Sequence, residues 1–515
     1  MIEKITQSAT SVTLAVFISR ILGLVREQVL AYFFGASQSM DAFVVGYRIP
    51  NLLRDLFAEG ALAGAFVKVF SFNLEKRGLK DSFQIAQVLI SNFLIILLGI
   101  VILGILLAPY LVSLIAPEFK GNPYKFQLTV YLTQLMMPFL LFISLASILA
   151  GMLNSLKIFF LPALSSGFFN LSSILIGVIG YYLLVHLSLE PIYAIALGVT
   201  LGGFWQFIFQ YPVAKKQGFS FKFCPNFRDS HFVEVLKLIF PVILGFSLVQ
   251  INIFINTFFA TSCGEGAVSW YSYAFRVMYV PLGLFGIGIS QALLPELSKQ
   301  IARKDLNLAK KTFSSALIVS LSVSLPSAIG LYLLSHPIIS FLFERGKFTS
   351  LDTFQTSQIL QILSLGLPFY GLSKTAIPLF YSLGLTIIPP LGSMLGVVTN
   401  VATIILTIEK MGIKAVALGT TLSLLLQSLF LVLMSFIKLR VTEFKFLIQS
   451  GFTLLVAGFF LILVIKLFQN FFIIKNLGLL AVILIAGLCF IWICKILGPK
   501  ECYLFYEKFL RLFKL

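Results

Sequence analysis

The segment TSVTLAVFISRILGLVREQVLAYFF, residues 10–34, is long and apolar enough to cross a bilayer, yet it carries Arg20 and Arg26. The next apolar stretch, 41–71, carries Arg48 and Arg54, and one in the second half carries Arg276. An arginine at mid-bilayer depth costs about 2.5–3.5 kcal/mol. Five facing lipid would cost roughly 12–17 kcal/mol, as much as the stability of a whole domain. They must face a wet cavity or one another, and a cationic cavity invites an anionic substrate.

Working outward, the whole chain has this character. Its 515 residues are 59% hydrophobic and only 11% charged, with a mean hydropathy of +1.00. Soluble domains are nearer half apolar and a quarter charged, so the chain reads as an all-α polytopic membrane protein. Glu3 and Lys4 lead straight into a span already broken by Arg20, so no cleavable leader is expected. Five scattered cysteines and three distant histidines give neither a disulfide framework nor metal spacing. There is no phosphate-binding GxxxxGK[ST] loop and no triad-like arrangement, so neither an enzyme nor a cofactor is expected.

Fourteen apolar spans are expected between residues 10 and 496. Mid-span Pro50, Pro138, Pro281, Pro326 and Pro368 give places to bend. One alternate set of connections holds Lys76, Arg77 and Lys80, then Lys215, Lys216, Lys222 and Arg228, then Lys299 to Lys311, then Lys438 to Lys445. The other holds only pairs, such as Lys120 and Lys125. By the positive-inside rule both termini are cytoplasmic. The same rule accounts for the net charge of +18, so no nucleic-acid partner is expected. The tail KECYLFYEKFLRLFKL (500–515) reads as an amphipathic helix on the inner leaflet, in contact with membrane lipid.

The chain also contains an internal repeat. Arg48 in DAFVVGYRI matches Arg276 in SWYSYAFRV, and Pro109 in LLAPYLVSLI matches Pro337 in LLSHPIISFL. Pro138 matches Pro368, Ser155 matches Ser382 and Pro162 matches Pro389, at offsets between 227 and 230. Six spans separate each pair. Because six is even, the copies share one orientation and form two six-helix lobes related by a parallel pseudo-two-fold axis. The expected domains are 1–215 (spans 1–6), 233–438 (spans 7–12), the extra spans 13–14 at 445–497, which suit a groove for something lipid-like, and the tail.

Among the charges, Arg20 and Glu27 share a helix face, and Asp41, Arg48 and Asp55 recur every seven residues, with Glu59 four beyond. Arg48 therefore lies on an acidic stripe and suits a structural role as well as a cavity role. Lys374, after the bend at Pro368, adds a sixth cation.

SRILGLVRE (19–27), GASQSMDAF (35–43) and RIPNLLRDLFAEGALAGAF (48–66) resemble the signature of the MurJ (MviN) lipid II flippases, of the multidrug/oligosaccharidyl-lipid/polysaccharide exporter superfamily. SWYSYAFRVMYVPLGLFG (269–286) and FERGKFT (343–349) are similar too. The resemblance implies alternating access in the cytoplasmic (inner) membrane and lipid II as substrate. Lipid II is an undecaprenyl-diphosphate bearing a disaccharide-pentapeptide. It further implies substrate-binding arginines at Arg20, Arg26, Arg54 and Arg276, an essential acid at Asp41, and a tail groove along spans 13–14. Cell-wall synthesis or division proteins are the partners such a role suggests. Two features depart from the pattern. Phe275 and Tyr279 flank Arg276 where some members carry acids, and residues 240–262 lack the acid through which some members hold sodium. Two other readings stand beside this one: a polysaccharide-lipid flippase or drug/cation antiporter of the same superfamily, and a non-transport scaffold or enzyme of envelope synthesis.

Overall fold

The computed structural model describes residues 2–56, 62–281, 283, 287–440, 443–471, 477–498, 501 and 503, with side chains from Leu14 onward except at 241–249, 287, 470, 471 and 477. Glu59 and most of the 500–515 tail lie outside the described residues. The described chain is helical, without a strand. Nine helical stretches among the described residues are long and apolar enough to cross a membrane. The chain divides into two compact units, one of 1–269 with 345–347, the other of 270–344 with 348–515.

The first unit holds α1 (Ile2–Phe34), α2 (Gln38–Arg54), α3 (Ala63–Ile115), α4 (Pro123–Met136), α5 (Pro138–Ser155), α6 (Phe160–His186), α7 (Ile192–Lys216) and α8 (Ser230–Thr261). Capping fixes several starts. The Ser37 hydroxyl accepts from Met40 N–H, the Asn122 side chain accepts from Lys125 N–H ahead of Pro123, and Asp229 accepts from His231 and Phe232 N–H. α3 is interrupted at Gly78, whose φ of 80° and ψ of −177° suit glycine alone. This breaks the helix among Lys76, Arg77 and Lys80 while keeping a helical path between two apolar runs.

α7 is the packing centre of this unit, lying against α6, α5 and α4. Its Gly202 and Gly203 receive the rings of Phe169 and Phe139. A Cβ at Gly203 would lie 2.8 Å from the Phe139 ring, which is 1% exposed and has no room to retreat. Overpacking costs about 1–3 kcal/mol, against a gain in helix propensity of about 1 kcal/mol. Gly203→Ala therefore lowers the melting temperature in detergent. Gly99→Ala, where nothing lies within 4 Å, leaves it unchanged or raises it.

The connection from α7 to α8 is a strap along α3. Gln87 Nε2 donates to the Ser220 carbonyl, and Ser91 Oγ accepts from Cys224 N–H at 3.0 Å. The Asn92 amide brackets Asn226, donating to its carbonyl and accepting from its N–H, each at 2.8 Å. Beyond the strap, α8 packs on α3 and belongs to this compact unit, although the repeat in sequence groups it with the later spans. The strap and the α3–α8 contact account for that difference.

The second unit holds most of α9 (Ala267–Pro281), with α10 (Ile287–Ala302), α11 (Leu306–Leu333), α12 (Ser335–Phe343), α13 (Ser350–Ser364), α14 (Leu367–Ser382), α15 (Ile388–Met411), α16 (Ile413–Leu439), α17 (Phe444–Phe471) and α18 (Leu477–Leu497). A capping box of Thr349 and Asp352 starts α13. One core joins α10, α11, α14 and α16 through Leu297, Phe313, Leu379, Phe380 and Leu431. A second joins α11, α17 and α18 through Ile318, Leu461, Ile465, Val482 and Phe490. The last two helices are thus an addition on the α11 side of their unit.

Candidate functional site

α1 and α2 carry the first group of cations. Arg20 is exposed, although its helix is otherwise apolar around it. Arg26 is half-buried, its guanidinium 2.9 Å from Glu27 Oε1 and 5.2 Å from the centre of the Phe169 ring. Glu27 is only 4% exposed. Arg54 makes a two-pronged contact with Asp55 Oδ1, at 2.7 and 3.1 Å, and Gln250 Nε2 donates to Asp55 Oδ2 at 3.1 Å. Two guanidinium groups, one on α1 and one at the end of α2, are thus each beside one carboxylate. Guanidinium forks of this kind suit phosphate and carboxylate oxygens.

Of the acidic stripe on α2, Asp55 is engaged as above and Asp41 lies elsewhere. Asp41 is fully buried in the first turn of α2 and forms an ion pair with Lys125 of α4 at 2.8 Å. Its carboxylate also accepts from Gly266 N–H at 2.8 Å and from Ser269 N–H and Oγ at 3.0 and 2.6 Å. Lys125 Nζ lies 4.2 Å from the Phe119 ring centre. Asp41 thus belongs to a closed network at the start of its helix, apart from Arg26 and Arg54. Arg48 is half-buried between these two places on α2.

Nearby, the Lys347 N–H donates to the Tyr32 carbonyl at 2.8 Å, with Gly346 at a φ of 63° pressed against that same carbonyl. Only glycine passes there, which gives a reason for the glycine in FERGKFT.

In the second unit, Arg276 is half-buried on α9. Trp270 Nε1, in the first turn of that helix, donates to Asp352 of α13 at 2.8 Å. Tyr271, Phe275 and Tyr279 follow at four-residue spacing, their rings 6.0 and 5.7 Å apart. Tyr279 Oη and Tyr370 Oη of α14 are hydrogen-bonded at 2.8 Å, and Lys374 Nζ lies 5.2 Å from the Tyr370 ring centre. Sequence reasoning missed Lys125, Gly266, Ser269, Trp270 and Asp352, whose roles rest on partners far away in the chain. Among the described residues no His/Cys/Asp/Glu group could hold a metal ion.

A multi-pass helical membrane protein with guanidinium–carboxylate pairs on α1 and at the end of α2 is the class that fold and site define. The family model described as "Lipid II flippase MurJ" matches residues 30–485. The chain is 34% identical over 382 residues to "Probable lipid II flippase MurJ" of Buchnera aphidicola subsp. Schizaphis graminum, covering 73% of each. It is 34% identical over 369 residues to "Lipid II flippase MurJ" of Burkholderia cenocepacia, covering 71% of each. A solved structure of "Lipid II flippase MurJ, inward closed conformation" matches with a TM-score of 0.78 at 28% identity, over 97% of this chain and 99% of that one. An inward-facing multidrug resistance MATE family transporter matches with a TM-score of 0.65 at 16% identity, over 82% and 94%, a likeness of fold alone. The chain belongs to the lipid II flippase MurJ family, a family of transporters and not of enzymes.

Proposed function

We propose that this chain moves lipid II from the inner to the outer leaflet of the cytoplasmic membrane. The observation that carries the reading is the pair of guanidinium groups of Arg26 on α1 and Arg54 on α2, each beside a single carboxylate. In a member of this family, such a pair suits the diphosphate of a lipid-linked substrate, a compact dianion or trianion with oxygens for both forks. Arg20 and Arg276 act on the same anion in the course of alternating access. The polyprenyl tail stays in lipid along α17 and α18, so that only the head group needs a polar path. Glu27 and Asp55 orient the Arg26 and Arg54 guanidinium groups, and Arg48 has a structural role on the same helix as Arg54.

Fourteen crossings, arranged as two repeats over 1–215 and 233–438 followed by two further spans at 445–497, complete this reading, with both termini cytoplasmic. Support for the repeat comes from packing inside each unit taken alone. With α3, α4, α5, α6 and α7 set against α11, α13, α14, α15 and α16, six pairings recur: third with fourth, third with fifth, fourth with seventh, fifth with sixth, fifth with seventh and sixth with seventh. Thr200 of α7 donates to the Leu135 carbonyl near the end of α4, and Thr421 of α16 donates to the Ile362 carbonyl near the end of α13. The Asp41–Lys125 and Trp270–Asp352 ties also join equivalent helix starts.

The membrane potential supplies the direction. The inner face is negative, and moving one negative charge outward gains about 2.3 kcal/mol per 100 mV. In cells that depend on this chain, labelled lipid II appears at the outer face, and collapsing the potential slows its appearance. Export at an unchanged rate after collapse overturns the voltage-driven step; no export at all overturns the assignment.

A further inference from the structure

The second unit contains a cation that the diphosphate reading leaves without a task. Lys374 is the one charged residue of α14, and Arg276 the one charged residue of the described α9. Among the described residues Lys374 has no carboxylate within ion-pair distance, and its ammonium lies over the Tyr370 ring. Tyr370 and Lys374 are four residues apart and share a face of α14; Arg276 and Tyr279 are three apart and share a face of α9. The hydrogen bond between Tyr279 and Tyr370 joins these two faces, so each cation lies one helical turn from the phenol pair. All four side chains are half-buried.

The face of one aromatic ring compensates an ammonium group less than removal from water costs it at bilayer depth. The stripe of Tyr370 and Lys374 therefore faces water or an anion. The two cations differ in what they suit. The Arg276 fork matches two oxygens of a phosphate, whereas an ammonium is a compact point charge with three donors. A single carboxylate, with its remaining oxygen turned to a phenol, satisfies it well. Phe275, Tyr279 and Tyr370 add flat apolar faces beside it, which suit the ring carbons of a sugar.

We propose that Lys374, with Tyr279 and Tyr370 beside it, is a carboxylate subsite that holds the peptide part of the substrate head group. This rests on the lipid II reading above.

The test uses full-length protein in nanodiscs and two probes, lipid II and the same lipid-linked disaccharide without its peptide. Lys374→Gln weakens lipid II binding about tenfold, the loss of one charge-assisted hydrogen bond, and leaves the peptide-free probe unchanged. Lys374→Arg keeps most of the binding, and Tyr370→Phe loses a smaller part. Arg276→Ala weakens both probes alike. Equal loss for both probes in Lys374→Gln, or no loss for either, overturns the subsite while leaving the function intact. Failure of the unmodified protein to bind either probe overturns the function reading itself, and the subsite with it. Melting curves show whether each variant is folded, and the Lys374→Arg result stands if Lys374→Gln is not.

Discussion

Arg26→Ala and Arg276→Ala each fail to rescue a strain depleted of its lipid II flippase, although both proteins reach the membrane in normal amounts. For Arg26 the geometry offers a competing explanation that the experiment must separate. Its guanidinium is the neighbour of a nearly buried carboxylate, and removing one partner of such a pair leaves the other uncompensated, at a cost of about 3–5 kcal/mol. A protein could fail for that reason alone. The double variant Arg26→Ala/Glu27→Gln removes both charges and most of that cost. If Arg26 serves only to neutralise Glu27, the double variant regains export. If Arg26 grips the substrate, it stays inactive, with a melting temperature near that of the unmodified protein. Arg26→Lys keeps the charge and loses the fork, and an intermediate export rate is expected of it. Full rescue by either alanine variant removes that arginine from the transport step.

The second large effect concerns stability. Asp41→Ala is the most destabilising single change expected in the first unit, ahead of Lys125→Met. Both break an ion pair whose members are 0% and 6% exposed, which costs about 3–5 kcal/mol. Asp41→Ala also strands the N–H groups of Gly266 and Ser269 in a buried place, at about 1–3 kcal/mol each. Asp41→Asn/Lys125→Met leaves one amide oxygen as acceptor and no buried charge, and recovers part of the loss. Thermal unfolding in detergent, monitored across the four proteins, gives the order directly. A Lys125→Met protein as unstable as Asp41→Ala means that the bonds to Gly266 and Ser269 contribute nothing measurable.

The membrane class, the helical build and the family were legible in the sequence because each is written locally. Apolar runs, lysine and arginine placement, and the motif from Ser19 to Phe66 need no knowledge of distant contacts. The arginines were legible for the same reason, since a cation in an apolar run is costly wherever it points. Their partners were harder to foresee. Arg26–Glu27 and Arg54–Asp55 join neighbours that a helix sets about 100° apart, and long, flexible side chains close that gap. A search at three-, four- or seven-residue spacing passes over them. Lys125 looked like one of a sparse pair in a connecting segment, yet it is the counter-ion of an aspartate 84 positions earlier. Asp352 and Trp270 are 82 apart. Only the fold brings such residues together. Gln87, Ser91 and Asn92 were equally silent, because a polar residue in a long helix reads as an ordinary interhelical contact until the strap is seen.

That strap changes what the connection from α7 to α8 is. Thirteen residues, 217–229, join α7 to α8, and a free chain of that length reaches about 45 Å. Tied at Gln87, Ser91 and Asn92, it follows a short piece of one helix and has its slack taken up. A loose leash lets its two ends wander independently; a splinted one passes a displacement from one end to the other. The α7–α8 connection is therefore a splint, its path set by three side chains of α3.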